Sequence, residues 1–244
     1  MKKEFLEQLC GFMLLLMVFL VVKYGVPQAV EAEAVRSLEV QRKERPVIVI
    51  DVGHGGSDPG KVGVDGSLEK DINLQIALRL KTYLEQSDVS VVMTREEDID
   101  LHSEGAGSKK MADMKRRCEI AEENGADLVV SIHQNSYHEE SVSGGQVFYY
   151  EDSDEGKKLA EILQKRFSYV LGADNRRLAK ANSSYYLLLH IKCPIVIVEC
   201  GFLSNWREAA LLQQEDYQDR MAWTIHMGVL EYLNGLGNRL NKQQ

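Results

Sequence analysis

The pattern of apolar runs predicts an α/β domain of three layers around a largely parallel sheet. Three observations carry this. Val47–Val52 and runs like it are apolar and rich in β-branched residues, as strands buried on both faces are. Longer stretches with apolar residues at helical spacing alternate with them. Three of the runs then lead into a residue that can bind metal or move a proton: His54, His133 and Glu199.

Taken in order, Val47–Val52 is the first strand, and the glycine-rich residues 53–66 form the loop after it. Ser67 is positioned as the N-cap of a helix in which Ile72, Ile76 and Leu80, and also Leu74 and Leu78, recur at helical spacing. Residues 89–94 read as a second strand and 99–110 as a loop. A helix over 111–124 is stopped by Gly125. Strands follow at 128–132, 146–150 and 195–198, with helices at 154–171 and 217–233. No repeat or low-complexity segment interrupts this order.

The N-terminus differs in kind. Lys2 and Lys3 precede an unbroken apolar stretch, residues 9–22, closed by Lys23. Fourteen helical residues reach only ~21 Å, short of a ~30 Å hydrocarbon core. That is the length of an export signal, although residues 24–26 could extend it into an anchor. Residues 1–34 are therefore expected to be an export signal or membrane anchor, 35–45 a linker, 46–237 the catalytic domain and 238–244 a tail. Either export reading places the domain at the outer face of the cytoplasmic membrane or in the cell wall.

The net charge of −8 offers no basic footprint, which excludes nucleic acid as a partner. The four cysteines, Cys10, Cys118, Cys193 and Cys200, form no C-x-x-C pair and read as small buried hydrophobes.

In open α/β sheets, ligands gather beyond the carboxyl ends of the strands, where His54, His133 and Glu199 converge. Glu69, in the first turn of a helix, points back to the same edge. Two imidazoles and a carboxylate suit a zinc site with one position left for water, and a fourth group can act as general base. The segment from Gly55 to Lys61 has the G-x-x-x-x-G-K spacing of a phosphate-binding loop, but Val62 replaces the magnesium-binding hydroxyl and Pro59 removes a backbone donor. His138-Glu139-Glu140 starts like a zincin motif and fails at Val142. No G-x-S-x-G elbow is present.

The ordered motifs resemble those of the zinc-dependent N-acetylmuramoyl-L-alanine amidases, the Amidase_3 family. They comprise the D-x-G-H-G-G-x-D-P-G opening (Asp51 to Gly60), Glu69 at a helix start and Met93-Thr94-Arg95. Arg117-x-x-x-Ala121, Ser131-Ile-His133-x-Asn135 and Val198-Glu199-x-Gly201-Phe202-Leu-Ser204-Asn205 follow. The resemblance spans about residues 46–235. It implies a twisted sheet of about six strands, one Zn2+ held by His54, Glu69 and His133, and Glu199 as the catalytic acid/base. It implies hydrolysis of the amide between N-acetylmuramic acid and L-alanine in peptidoglycan. Val52 stands where the family usually has Pro, Gln134 where Ala is common, and His190 near a position often held by Arg. Arg117, Asn135 and His190 are candidate substrate-contacting or supporting residues; for Asn135 a plain turn role is equally open. Strand alternation turns Cys200 away from Glu199 and out of the site.

An export segment, one catalytic domain and no wall-binding repeat resemble the germination-specific amidases of spore-forming bacteria. This implies peptide removal in the spore cortex leading to muramic-δ-lactam, in the forespore or cortex compartment, with a lipoprotein activator as partner. Two other readings remain: a catalytically silent peptidoglycan-binding scaffold, and a zinc amidase for a different exported amide. The intact set of four residues speaks against the first and the export segment against the second.

Overall fold

The computed structural model describes residues 2–25, 45–102, 108–172 and 175–240. The chain divides into two compact units, Met1–Arg45 and Pro46–Gln244. In the first, helix α1 (Lys2–Leu20) runs into a π-helical turn at Val21–Gly25, and residues 12–21 expose their apolar side chains. Among the described residues, no helix is long and apolar enough to cross a membrane. The expected linker, apart from Arg45, lies outside the described residues.

The second unit holds a six-stranded sheet in the order β2-β1-β3-β6-β4-β5. Its strands are β1 (Val47–Val52), β2 (Ser90–Met93), β3 (Leu128–Asn135), β4 (Gln146–Tyr150), β5 (Lys180–Asn182) and β6 (Ile195–Phe202). Strands β2, β1, β3 and β6 are parallel, β4 runs antiparallel to β6, and β5 is parallel to β4. The starts of β4 and β5 therefore lie at the same edge as the carboxyl ends of the other four.

Pleating sorts the core into two faces. Ile48, Ile50, Val52, Val130, Ile132, Val196, Val198 and Cys200 pack with α2 (Glu69–Glu85), α4 (Asp154–Leu171) and α7 (Glu215–Leu240). Val49, Val129, Ile195 and Ile197 pack on the other side with α3 (Lys109–Glu123) and the short α5 (Tyr186–His190). Asp51, Ser131, His133 and Glu199 follow Val49, Val129 and Ile197 in the alternation and share that second face.

Four expectations need correcting. Ser67 does not cap α2: its amide and hydroxyl bond the Asp65 carboxylate, and Leu68 takes the N-cap without a side-chain bond. Strands β3 and β6 run on to Asn135 and Phe202, so Glu199 lies within β6 instead of following it. Helix α7 begins at Glu215 and continues to Leu240, where a helix over 217–233 is expected. Strand β5, helix α5 and helix α6 (Trp206–Leu212, capped by Asn205) have no counterpart in the hydrophobic pattern.

Candidate hydrolytic site

At the carboxyl edge of the sheet, β1 ends beside β3 and the chain turns through Gly53 and His54. The amide of Gly53 donates to Ile132 O at 3.1 Å, which carries the pairing one residue past the strand. A Cβ on Gly53 would lie 2.4 Å from the His133 ring, so the glycine lets the imidazole lie across the backbone. His54 has φ +61°, a left-handed conformation uncommon for a residue with a Cβ. Surrounding bonds hold it there.

Two guanidiniums supply those bonds. Arg95 Nε donates to His54 O at 2.7 Å, and its Nη2 to Gly53 O at 3.1 Å and Lys70 O at 2.8 Å. Arg117 donates from Nη1 to Val52 O at 2.6 Å and from Nη2 to His54 O at 2.9 Å. Three successive carbonyls thus point at two buried cations. Arg117 also pairs with Asp51 at 2.7 Å and Asp113 at 2.6 Å. Burial alone would raise the Asp51 carboxyl, but Arg117 and the Ser131 hydroxyl hold it below its usual range. Burial and the nearby Arg117 lower Arg95 to about 10.

Inside this frame, Glu69 lies between the two histidines. Its carboxylate is 3.2 Å from His54 Nε2 and 3.0 Å from His133 Nδ1. It also accepts from Lys61 N at 2.8 Å and Gln134 N at 3.0 Å. Burial works against its charge, yet the two imidazoles keep the carboxyl far below the carboxylate range. Gly60, at φ +69°, passes so close that a Cβ would lie 2.6 Å from the Glu69 carboxylate. The outer His54 nitrogen, Nδ1, meets Asp58 at 2.8 Å, the carboxylate support typical of metal-binding histidines. One ligand atom from each of His54, Glu69 and His133 lies within 4.8 Å of the others, and no other such group of three occurs among the described residues. Nitrogen and oxygen donors in this number suit zinc with a vacant position.

Glu199 is different. In the sheet register it is the partner of His133 on one side and of Gln146 on the other. It is buried, and its Oε2 has no hydrogen-bond partner. Burial pushes the carboxyl up to about 7; His133 pulls it down and Glu69 pushes it further up. A carboxyl held near neutrality suits general acid/base work. A divalent cation nearby would draw it down.

The structure thus brings His54, Glu69, His133 and Glu199 together. Arg117 acts beneath the loop through the backbone. Asn135 ends β3, its side chain accepting from Ser136 N at 2.8 Å and its carbonyl from Leu203 N at 2.8 Å. His190 lies elsewhere: stacked on Tyr186, it lines a cavity with Cys118, Ala126 and Cys193, at the amino edge of the sheet where β3 and β6 begin. Burial raises both Cys118 and Cys193 to about 11, and Cys200 is buried in the core, so these three cysteines have no part in the site. The supporting residues Asp51, Asp58 and Arg95 appear in the sequence motifs without a role. The signal for Asp51 is a carboxylate inside a strand apolar on both sides, which requires a buried cation.

A family profile described as N-acetylmuramoyl-L-alanine amidase matches residues 48–231. The germination-specific N-acetylmuramoyl-L-alanine amidase of Bacillus subtilis (strain 168) is 36% identical over 240 residues, covering 97% of this chain and 98% of that protein. The amidase LytC of the same organism is 34% identical over 188 residues, 76% of this chain and 35% of its own length. Among solved structures, the CwlD amidase of Clostridioides difficile in complex with the GerS lipoprotein superposes with a TM-score of 0.75 at 38% identity, over 78% of this chain and 99% of that one. The catalytic domain of the amidase CwlV of Bacillus (Paenibacillus) polymyxa gives a TM-score of 0.68 at 34% identity, over 78% and 98%.

Proposed function

The chain belongs to the N-acetylmuramoyl-L-alanine amidase family, and from that premise we propose that it cuts the bond between N-acetylmuramic acid and L-alanine with one zinc ion held by His54, Glu69 and His133. The observation that carries this is the contrast between a carboxylate fixed between two imidazoles and a buried carboxyl with an unpartnered oxygen in the adjacent register position.

Zinc, when bound, supplies Lewis acidity that polarises a carbonyl and lowers the pKa of water toward ~7. The protein's own groups do the rest. Asp58 and the two arginines hold His54 in place, and Glu69 enters already ionised. Glu199 takes the proton of the attacking water and gives it to the leaving alanine nitrogen; proton transfer of this kind contributes ~10²–10⁴-fold.

The germination-specific relative supports a place in spore cortex processing, where peptide removal precedes muramic-δ-lactam formation. The neighbour solved with a lipoprotein supports a lipoprotein activator here too. The apolar N-terminal stretch supports export, with residues 1–34 as signal or anchor and 46–237 as the catalytic domain. Zinc-loaded protein should release peptides with free N-terminal alanine from peptidoglycan, lose this on chelation and regain it with zinc. Release by the chelated protein would contradict the zinc reading. Spores lacking the protein should lack δ-lactam; an unchanged cortex would contradict the cortex role.

A further inference from the structure

In and just before β5, three strands from β3 and on the same face and edge of the sheet as the proposed zinc ligands, the chain presents cations that have no carboxylate within ion-pair reach among the described residues. The guanidinium of Arg177 stacks over the Phe202 ring at 4.4 Å. Its Nε donates to Ser143 O at 2.7 Å and its Nη1 to Gln146 Oε1 at 3.2 Å. The neighbouring acid, Glu208, is taken up by Gly144 N and Phe202 N, each at 2.8 Å. Three of the five N–H groups of Arg177 therefore have no partner among these bonds. Lys180, an exposed residue, stands with its ammonium over Phe148 at 5.9 Å.

Position ties these cations to the hydrolytic centre. Gln146 is the register partner of Glu199, and Phe148 that of Lys180. Strand spacing puts β5 about 10 Å from β6. On the opposite flank, the loop after β1 is ringed by Asp58, Asp98 and Asp100; Lys70 pairs with Asp98, and Lys61 is exposed. An acidic ligand crossing the centre would meet carboxylates interspersed with Lys61 and Lys70 on one side, and a guanidinium fixed by stacking on the other.

We propose that Arg177, held by Phe202, Ser143 and Gln146 with Lys180 beside it, binds a carboxylate of the peptide that leaves muramic acid, so that the peptide lies over β4 and β5 and the glycan toward β1. This rests on the amidase reading of the site. A planar guanidinium matches a carboxylate bidentately, and such charge-assisted bonds are the strong ones. Contact at a group remote from the scissile bond is uniform binding, which appears in KM more than in kcat.

The test is steady-state kinetics of zinc-loaded full-length protein on two muropeptides, one with free D-glutamyl carboxyls and one with those carboxyls amidated. The wild type should favour the free form. Arg177→Ala should raise KM for the free form at least about tenfold, leave kcat within about twofold and abolish the preference. Arg177→Lys, which keeps the charge but not the fork, should fall between. Equal losses on both substrates, or a loss in kcat alone, would reduce Arg177 to a structural role and overturn the subsite while leaving the amidase reading intact. A wild type that releases peptide from neither substrate would overturn both.

Discussion

The β1–β3 half of the site and the β6–β4–β5 half are built on opposite terms. In the first, the chief polar atoms are tied: three carbonyls to two guanidiniums, Glu69 to two imidazoles and two amides, His54 to Asp58. In the second, Glu199 keeps a buried oxygen without a partner, and Arg177 and Lys180 lack carboxylates. On the proposed reading, the fixed half with the candidate ligands His54, Glu69 and His133 would hold the ion, and the unsaturated half would handle the substrate. The difference also explains why one carboxyl is held far below its usual range while its neighbour is raised.

The sharpest way to break the comparison is Glu199→Gln. It should lower kcat by about 10²–10⁴-fold while bound zinc, counted by atomic absorption, stays at one ion per chain. Loss of the metal would show that Glu199 belongs to the holding half.

Next in size, Arg117→Ala leaves Asp51 charged and buried without its partner. Breaking such a pair costs about 3–5 kcal/mol, and at this chain length that lowers Tm by about 10 °C. Zinc affinity should fall with it, because the His54 carbonyl loses a donor. Unchanged zinc affinity in a folded variant would mean that the arginines support the strand but not the ligand.

The smallest effect is pH dependence of the metal-free protein. Burial opposes charge on His54, but Glu69 and Asp58 raise its pKa above the ordinary 6.5. Its contribution to stability is therefore full below about 6.5 and is lost as pH rises through the raised value. The Glu69 contribution has the opposite sign, full above the ordinary glutamate pKa and lost only in strong acid. Chelated protein should thus lose Tm as pH rises above 6.5, and zinc should stabilise it most on the alkaline side. A flat Tm between pH 6 and 9 without metal would contradict the arrangement.

What the chain discloses before folding follows the same division. Val47–Val52, Gln146–Tyr150 and Asp154–Leu171 are legible to the residue because their apolar residues recur at strand or helix spacing between clear turn residues. Lys180–Asn182 is not, since three residues on an edge strand, Lys-Ala-Asn, carry no period. The apolar run of β6 ends at Val198, but pairing with β3 continues past a register shift to Phe202. Ser67 looks like a cap until Asp65 claims its hydroxyl. His54, His133 and Glu199 stand out because each follows an apolar run with a reactive group, and Glu69 because it opens a helix that points back to the same edge. His190 draws attention only through its motif position, and the fold carries it to the far edge. The roles of Arg95 and Arg177 depend on which carbonyls and rings meet them in space, which no spacing encodes.

The central claim is that the histidines and Glu69 hold the ion while Glu199 stands beside it unbound. Anomalous diffraction at the zinc edge from crystals of the zinc-loaded protein tests this most directly. One peak should lie ~2.0–2.1 Å from His54 Nε2 and His133 Nδ1 and ~2.0–2.2 Å from a Glu69 oxygen, with the Glu199 carboxylate beyond ligand distance. A peak elsewhere, or one with Glu199 in the place of Glu69, would contradict it.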